Sequence, residues 1–447
     1  MELGKIHTQL LKLKSWREFT RLCDNLLTDP SGRKQAGNLF EELTRLYLLT
    51  TSEHATKIKA VRHHSEIPTK LLNQLGLVRP EIGVDLLVEL KNGRYWAVQA
   101  KYRSDFTKNL PLSALSGFQA IAARQLKHSK DFSHWIVATS NYDLSTKAYS
   151  LFPKMGLIGF ADFSAMAENE FKAIHEYIRR GRVKPKPFRP RKHQKQAVKA
   201  VSKFFTDNSA TRGKIIHPCG SGKSLTGFWI SQVLKSRSVL IAVPSLALVR
   251  QILRDWTREC QANGIDVDWM AVCSDEGVKD SDDTSTKTAD LGIEVDTDPK
   301  VVAKFLSKKS RILKVIVTTY QSGQVVIDAA KKSKAKFDLG IFDEAHKTVG
   351  IVGKKWGKLL RDENVKVARR IFMTATEKQY RGNSDQFDSM DDEALYGPII
   401  HQLSFKAALE QKPPILSDYK IVTTIVTSSQ IAELIRNNTF VRSSGKD

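Results

Sequence analysis

Apolar residues recur along the first fifty positions with a helical period. Leu10, Leu11, Leu13, Trp16 and Phe19 share a stripe that predicts one opening amphipathic helix. After the turn Pro30-Ser31-Gly32, a second helix is predicted through Leu39, Phe40, Leu43, Leu46 and Tyr47. The pattern then shortens. Two runs, 84–90 and 95–100, are rich in strand-forming residues and flank Lys91-Asn92-Gly93-Arg94. Asn-Gly between two such runs is a strong hairpin signal. A helical stretch around 120–126 and a strand over 135–139 follow. Beyond Arg189 the pattern changes again, with strands predicted at 214–217, 239–243, 315–318, 339–342 and 371–374 and helices between them. Val/Ile/Leu runs in this alternation predict a parallel sheet covered on both faces. The expected fold class is therefore α/β throughout, in two successive domains.

Two segments interrupt the pattern. Residues 179–195 hold nine Lys/Arg, no acid, and prolines at 185, 187 and 190, which predicts a stiff, extended connector, either solvated or in direct contact with phosphate. Residues 275–298 carry nine Asp/Glu and several Ser/Thr, and are expected to form a long acidic surface loop.

Composition narrows the classes. At roughly 100–200 residues per domain, 447 residues allow two to four domains, and 41% hydrophobic residues exclude a disordered or fibrous chain. No run approaches the roughly 18 apolar residues of a membrane span. The N-terminal sequence has no apolar signal core, so a cytoplasmic location and no membrane partner are expected. Cys23, Cys219, Cys260 and Cys273 show no zinc-ligand spacing. The formal net charge of +23 favours a polyanionic partner, most often nucleic acid.

The strongest chemical signal is His217-Pro-Cys-Gly-Ser-Gly-Lys-Ser224, lying between a predicted strand and an apolar helical run. In such a loop the backbone around Gly220, Ser221 and Gly222 closes on phosphate oxygens, and the helix N-terminus adds its dipole. Lys223 can reach the β/γ-phosphates of ATP, and the Ser224 hydroxyl can ligate Mg²⁺. The first glycine of the general pattern is replaced by His217. Downstream, Asp338-Leu-Gly-Ile-Phe-Asp-Glu-Ala-His346 sets Asp343 and Glu344 at a strand end. There Asp343 can hold the Mg²⁺ and Glu344 can orient or deprotonate the attacking water.

These motifs resemble those of superfamily 2 helicases and translocases. Arg189-Pro-Arg-Lys-His-Gln194 is similar to the adenine-reading Q motif, with Gln194 as the base contact. Val243-Pro-Ser-Leu-Ala-Leu-Val-Arg-Gln251 resembles motif Ia and Thr318-Thr-Tyr-Gln-Ser322 a neighbouring one, both of which touch the nucleic-acid backbone in that family. Met373-Thr-Ala-Thr376 resembles motif III. The resemblance puts His346, Thr374 and Thr376 at the nucleotide site too. It also implies a second RecA-like lobe bearing an arginine finger, of which residues 421–447 would be only the start. The sequence is accordingly expected to be part of a longer polypeptide.

In the first region Asp85 sits in Glu81-Ile-Gly-Val-Asp85, and Gln99 and Lys101 lie on the second strand of the predicted hairpin. Period-2 geometry puts Gln99 and Lys101 on one face, alongside Asp85. A carboxylate, an amide oxygen and an ammonium converging this way suit phosphodiester hydrolysis. Asp85 and Gln99 would hold Mg²⁺, while Lys101 would position or activate water. Glu41 on the preceding helix is the favoured further carboxylate, with Glu42 the fallback. The polar-sheet-face alternative stays open on these residues alone. His54, His63 and His64 are expected at the surface, and Phe204, Phe205 and Trp229 in core positions.

The succession of Glu-bearing helix, Gly-x-Asp, hairpin and Gln-x-Lys resembles the Mrr-like branch of the PD-(D/E)XK restriction-endonuclease fold, over roughly residues 35–165. Together with the motor it resembles the single-polypeptide type I (type ISP) restriction–modification enzymes. The plan so implied is a nuclease domain over 1–178, a basic linker over 179–190, a RecA-like P-loop ATPase domain over 191–420 and a further lobe from 421. The implied activity is ATP-driven translocation on double-stranded DNA with Mg²⁺-dependent cleavage. Methyltransferase and target-recognition domains are expected downstream. A stand-alone antiviral nuclease–helicase, or a processing helicase whose first domain only binds DNA, fits the same residues.

Overall fold

Each region folds around its own sheet. The computed structural model describes residues 3–418 except 80, 129–130, 152–154, 208, 275–286, 309, 352–354 and 381–386. The expected lobe from 421 onward and the first half of the acidic insertion lie outside the described residues.

The first sheet runs β1 (Ile58–His63), β2 (Leu86–Leu90), β3 (Tyr95–Lys101), β4 (Phe132–Thr139) and β5 (Met155–Ile158), in that spatial order. β1, β2 and β3 pair antiparallel, while β3, β4 and β5 pair parallel. The Asn-Gly hairpin forms as expected, with Leu86 opposite Val98. Alternate residues serve opposite cores. Val88, Trp96, Val98 and Ile136 pack with helix Pro30–Thr50, whereas Leu87, Ala97, Trp135 and Val137 pack with Phe118 and Ile121 of helix Ser116–His128.

The predicted opening helix is two helices, Leu3–Leu10 and Trp16–Leu26. Ser15 breaks the run as an N-cap, accepting from the Glu18 N–H while the Glu18 carboxylate accepts from Lys14 N at 2.8 Å. The predicted turn Pro30-Ser31-Gly32 instead begins the next helix. Asp29 caps it and Pro30 occupies its first turn, where a missing N–H costs nothing.

The second sheet is β6 (Arg212–Ile216), β7 (Ser238–Val243), β8 (Val267–Val272), β9 (Leu313–Thr319), β10 (Phe337–Phe342), β12 (Val367–Thr374) and β14 (Ile399–Gln402). Their order is β14-β6-β12-β10-β7-β9-β8, and every pairing is parallel. β11 (Gly350–Ile351) and β13 (Phe387–Asp388) form a separate small ribbon. Ile241 and Ile341 face one core, and Leu240, Phe342 and Phe372 the other. Phe205 is buried against the first of these, with Phe204 and Trp229 packed beside it.

Two expectations about connecting segments change. Helix Glu168–Arg180 takes up the first two connector residues and ends at Gly181. The connector beyond it is docked on helix Leu246–Asn263: Phe188 N–H donates to both oxygens of Glu259, at 3.1 and 3.2 Å, and the Arg258 guanidinium covers the Phe188 ring at 3.7 Å. The described half of the acidic insertion is not a surface loop. Leu291 and Ile293 are buried in the second core, and Glu294 reaches across to the first domain, accepting from Trp96 Nε1 at 3.2 Å.

That contact belongs to a continuous seam. Arg250 ion-pairs with Asp162, Arg254 Nε lies 3.2 Å from Glu53, Thr257 bonds Ser52, and Trp269 Nε1 donates to Thr56 at 3.1 Å. Arg250 and Arg254 lie on the helix that follows the motif Ia strand, and both guanidiniums face the first domain.

Candidate active sites

In the first domain, Asp85 lies immediately before β2, with its backbone N–H on Val98 O and its C=O on His64 N. Gly83, two residues earlier, has φ of +137° and passes so close to helix Ser116–His128 that a Cβ would meet Phe118 N at 2.4 Å. That close pass fixes where Asp85 emerges. Its carboxylate accepts from Ala100 N at 2.6 Å, between Gln99 and Lys101 on β3. Burial raises its pKa to about 7; Lys101 pulls it down, while Glu41 and Glu81 push it up. Lys101, Glu41 and Glu81 thus all act on this carboxylate.

Gln99 is buried, and its Oε1 has no hydrogen-bond partner. A buried acceptor left unpaired costs about 1–3 kcal/mol, which a cation ligated there would recover. Among the described residues, no three His, Cys, Asp or Glu side chains gather closely enough to enclose a metal ion. The donor set is thus one carboxylate and one neutral oxygen, with further ligands left to carboxylates across the cleft. It fits a hard divalent cation held in part by water or substrate oxygens.

A cleft of about 400 Å³ is lined by Asp85, Glu41, Glu81, Asn38, His63 and His64, among others. Glu41 and Glu42 separate clearly. Glu42 is fully buried and spent on Arg45, His63 and His7 at 2.7–2.8 Å. Burial alone would raise its pKa, but those partners bring it down to about 2. Glu41 opens to the cleft and takes one hydrogen bond, from His63 Nδ1 at 2.6 Å. The histidines correct the sequence expectation: His54 and His64 are buried, and His63 is clamped between two glutamates. Burial would lower the His63 pKa, yet Glu41 and Glu42 raise it to about 9. Glu81 is a cleft carboxylate that sequence reading passed over. Its spacing from Asp85 across a Gly-x pair was the available signal.

In the second domain the loop after β6 leads into helix Lys223–Val233. Gly220 and Gly222 take φ of +78° and +82°, the left-handed conformation that turns successive N–H groups inward. Lys223 Nζ lies 3.0 Å from Glu344 Oε1. Asp343 ends β10, and its Oδ1 accepts the Glu344 N–H at 2.9 Å. Burial raises the Asp343 pKa to about 6, against Lys223 and with the help of Glu344. Glu344 holds a left-handed φ of 48°, uncommon outside glycine, and His346 Nδ1 lies 3.3 Å from its Oε2. His346 also reaches Thr374 Oγ1 at 3.0 Å, and Thr374 Oγ1 donates to Thr376 O. The strand-end acids are thereby wired to the loop after β12. Ser224 Oγ is buried at the start of helix Lys223–Val233, beside the Asp255 carboxylate. The Ser224 hydroxyl and the Asp343 carboxylate are the hard oxygen donors that this helix start and strand end would offer Mg²⁺.

Gln194 is engaged with the phosphate loop. Its amide takes the Arg191 N–H at 2.8 Å and donates to Gly222 O at 3.1 Å, while His193 bonds Ser221 O. His217, in the place of the missing glycine, is buried. Its N–H bonds Thr374 O at 2.8 Å and its Nε2 lies 2.8 Å from His401. Burial lowers its pKa to about 3, with His401, His193 and Lys223 acting in the same direction, so it stays neutral.

Residues 187–379 match the family model described as the res subunit of type III restriction enzymes, and residues 50–171 match one described as a restriction endonuclease. No curated protein matches the chain. Among solved structures, an ATP-dependent type ISP restriction-modification enzyme, LlaBIII, bound to DNA, is 27% identical, with a TM-score of 0.69 over 89% of this chain and 26% of its own. A nuclease-deletion mutant of the type ISP enzyme LlaGI, in complex with a DNA substrate mimic, is 29% identical, with a TM-score of 0.39 over 50% of this chain and 20% of its own. The chain thus spans about a quarter of LlaBIII. Among the described residues, no helix is long and apolar enough to cross a membrane.

Proposed function

We propose that this chain, in which an Mrr-like restriction-endonuclease domain precedes a ResIII helicase domain, is the nuclease and motor part of an ATP-dependent restriction enzyme acting on double-stranded DNA in the cytoplasm. The observation that carries the reading is that one polypeptide holds two separate phosphate chemistries, joined by a shared helix. One is the Lys223–Glu344–Asp343 constellation beneath a left-handed glycine loop. The other is Asp85, buried beside Lys101 and the unpaired Gln99 oxygen.

In the motor, Lys223 leaves Glu344 to meet the β/γ-phosphates of ATP, and the freed Glu344 carboxylate orients the attacking water. Ser224 and Asp343 would hold Mg²⁺, whose charge would offset that building on the phosphates. Thr374, reached by both His346 and the His217 backbone, links this event to the loop after β12. In the nuclease, Asp85 and Gln99 would hold a divalent cation, Lys101 positions or activates water, and Glu41 faces them across the cleft. Methyltransferase and target-recognition domains further along a longer polypeptide complete the proposal.

The test is cleavage of supercoiled plasmid with Mg²⁺ or Mn²⁺, alongside DNA-stimulated ATP hydrolysis. Asp85→Asn and Lys101→Ala are expected to lower nicking by at least ~10²-fold while sparing hydrolysis, whereas Lys223→Ala should abolish hydrolysis and the ATP-dependent part of nicking with it. Nicking that survives both Asp85→Asn and Lys101→Ala would remove the nuclease assignment. The first domain would then read as a DNA-binding module ahead of a processing motor.

A further inference from the structure

Beside the nuclease cleft runs a second, wider concavity, about 670 Å³, between helices Leu3–Leu10 and Pro30–Thr50. No carboxylate lines it. Lys5 and Gln9 stand one turn apart on the first helix; Ser31, Lys34, Gln35 and Asn38 face them from the second. Lys5 and Lys34 are exposed, and the Gln9 Oε1 is buried with no partner.

The two concavities share Asn38. On helix Pro30–Thr50, positions 34, 38 and 41 fall at i, i+4 and i+7, so Lys34, Asn38 and Glu41 form one stripe. The stripe starts with a cation in the open trough and ends on the carboxylate that faces Asp85. The walls are tied together by His7 of the first helix, which bonds Glu42 of the second at 2.7 Å. Gly37 flanks the stripe, and a Cβ there would meet nothing within 4 Å. Packing does not require a glycine in this helix interior, where it costs about 1 kcal/mol relative to alanine. A flat wall beside the Lys34 and Asn38 end of the stripe is what a chain passing close to the helix backbone needs.

We propose that this trough seats the phosphodiester backbone of the DNA strand that enters the nuclease cleft. Lys5 and Lys34 meet successive phosphates, and the amides of Gln9, Gln35 and Asn38 offer hydrogen bonds between them. The assignment of the cleft itself rests on the nuclease reading above, but the trough's own chemistry is read by binding. A polar, acid-free channel leading to a carboxylate cluster keeps the phosphates away from the acids until the strand reaches the scissile position. Mg²⁺ is needed only there.

The experiment uses the 447-residue chain carrying Asp85→Asn, so that bound duplex is not cut, with and without Lys5→Gln plus Lys34→Gln. Affinity for a fluorescent DNA duplex is measured from 50 to 200 mM salt. Each phosphate neutralised contributes roughly 0.9 to the slope of log K against log salt, so the double variant should lower that slope by about two. Over the fourfold salt range, the wild-type advantage should shrink roughly tenfold. In the Asp85 background the same pair should cut plasmid nicking about tenfold at 0.15 M salt, leaving ATP hydrolysis at saturating DNA unchanged. An unaltered slope and affinity overturn the trough, even where Asp85→Asn still abolishes nicking. A reduced slope in a protein whose wild type never nicks upholds the trough and sinks the nuclease reading instead.

Discussion

Gly222 has no room for a side chain. Its φ is +82°, and a Cβ would stand 2.6 Å from Gln194 Nε2, so Gly222→Ala would both strain the backbone and push away the amide that holds the loop. We expect nucleotide affinity to fall at least ~10-fold with little change in melting temperature, since the site is a surface loop rather than core; a titration with a fluorescent ATP analogue and a thermal melt decide it. The candidate motor residues were legible because they are neighbours in sequence: Gly220 to Ser224 are consecutive, and Asp343 and Glu344 directly follow one strand. The nuclease residues were legible where a hairpin register relates them, as with Asp85, Gln99 and Lys101. Glu81 and His63 were not, since they reach the cleft from a loop and from the end of β1. His63 carries no sign of its two glutamate partners, which belong to a helix over twenty positions earlier.

At the scale of elements, the strands that patterning missed share a position. β1, β5, β8 and β14 are the edges of their sheets. The interior strands read as continuous apolar runs because neighbours cover them on both sides. β14, by contrast, has no fully buried residue, and β1 alternates irregularly with Lys59 exposed. Helix Leu246–Asn263 illustrates a different limit. Its motif predicts contact with nucleic acid, yet Arg250 and Arg254 are turned toward the first domain, where partners from over 80 residues away await them. Burial would weaken the charge on Arg250, and Asp162 more than restores it. Removing one partner of such a pair strands the other, at about 3 kcal/mol. Asp162→Ala is therefore expected to uncouple the domains, splitting a shared calorimetric unfolding transition into two. A double-mutant cycle with Arg250→Ala should return a coupling energy; additivity would show that the pair contributes nothing to docking.

The molecule as a whole responds to acid through groups of opposite sign. Asp85 and Asp343, raised to about 7 and 6, bind protons more readily when folded, so each adds stability as pH falls toward the ordinary carboxylate range. The seam does the reverse. His54 is buried against Glu53, Arg250, Arg254 and His134, and its pKa is lowered to about 4. Its contribution is complete above the ordinary histidine value of 6.5 and is lost as pH drops toward 4. Glu53 is held below its usual range by Arg254 and His54 against the cost of burial, and it loses its contribution in the same direction. Relative to His54→Gln, the wild type should lose stability progressively from pH 6.5 to 4, on the order of 3 kcal/mol in total. Melting curves of the two proteins across that window should converge or cross; parallel curves would show that His54 does not titrate in the seam.

On the proposed function, the docked connector and the shared helix have a consequence for where DNA is cut. A nuclease on a loose tether samples a sphere around its motor and scatters its breaks. Here the proline-rich segment lies along the helix that also carries Arg250 and Arg254, so the two catalytic centres behave as the ends of a caliper. Breaks made by such a body fall at one fixed offset from the motor's footprint, and lengthening the connector with inserted glycines leaves that offset unchanged for as long as the seam stays closed.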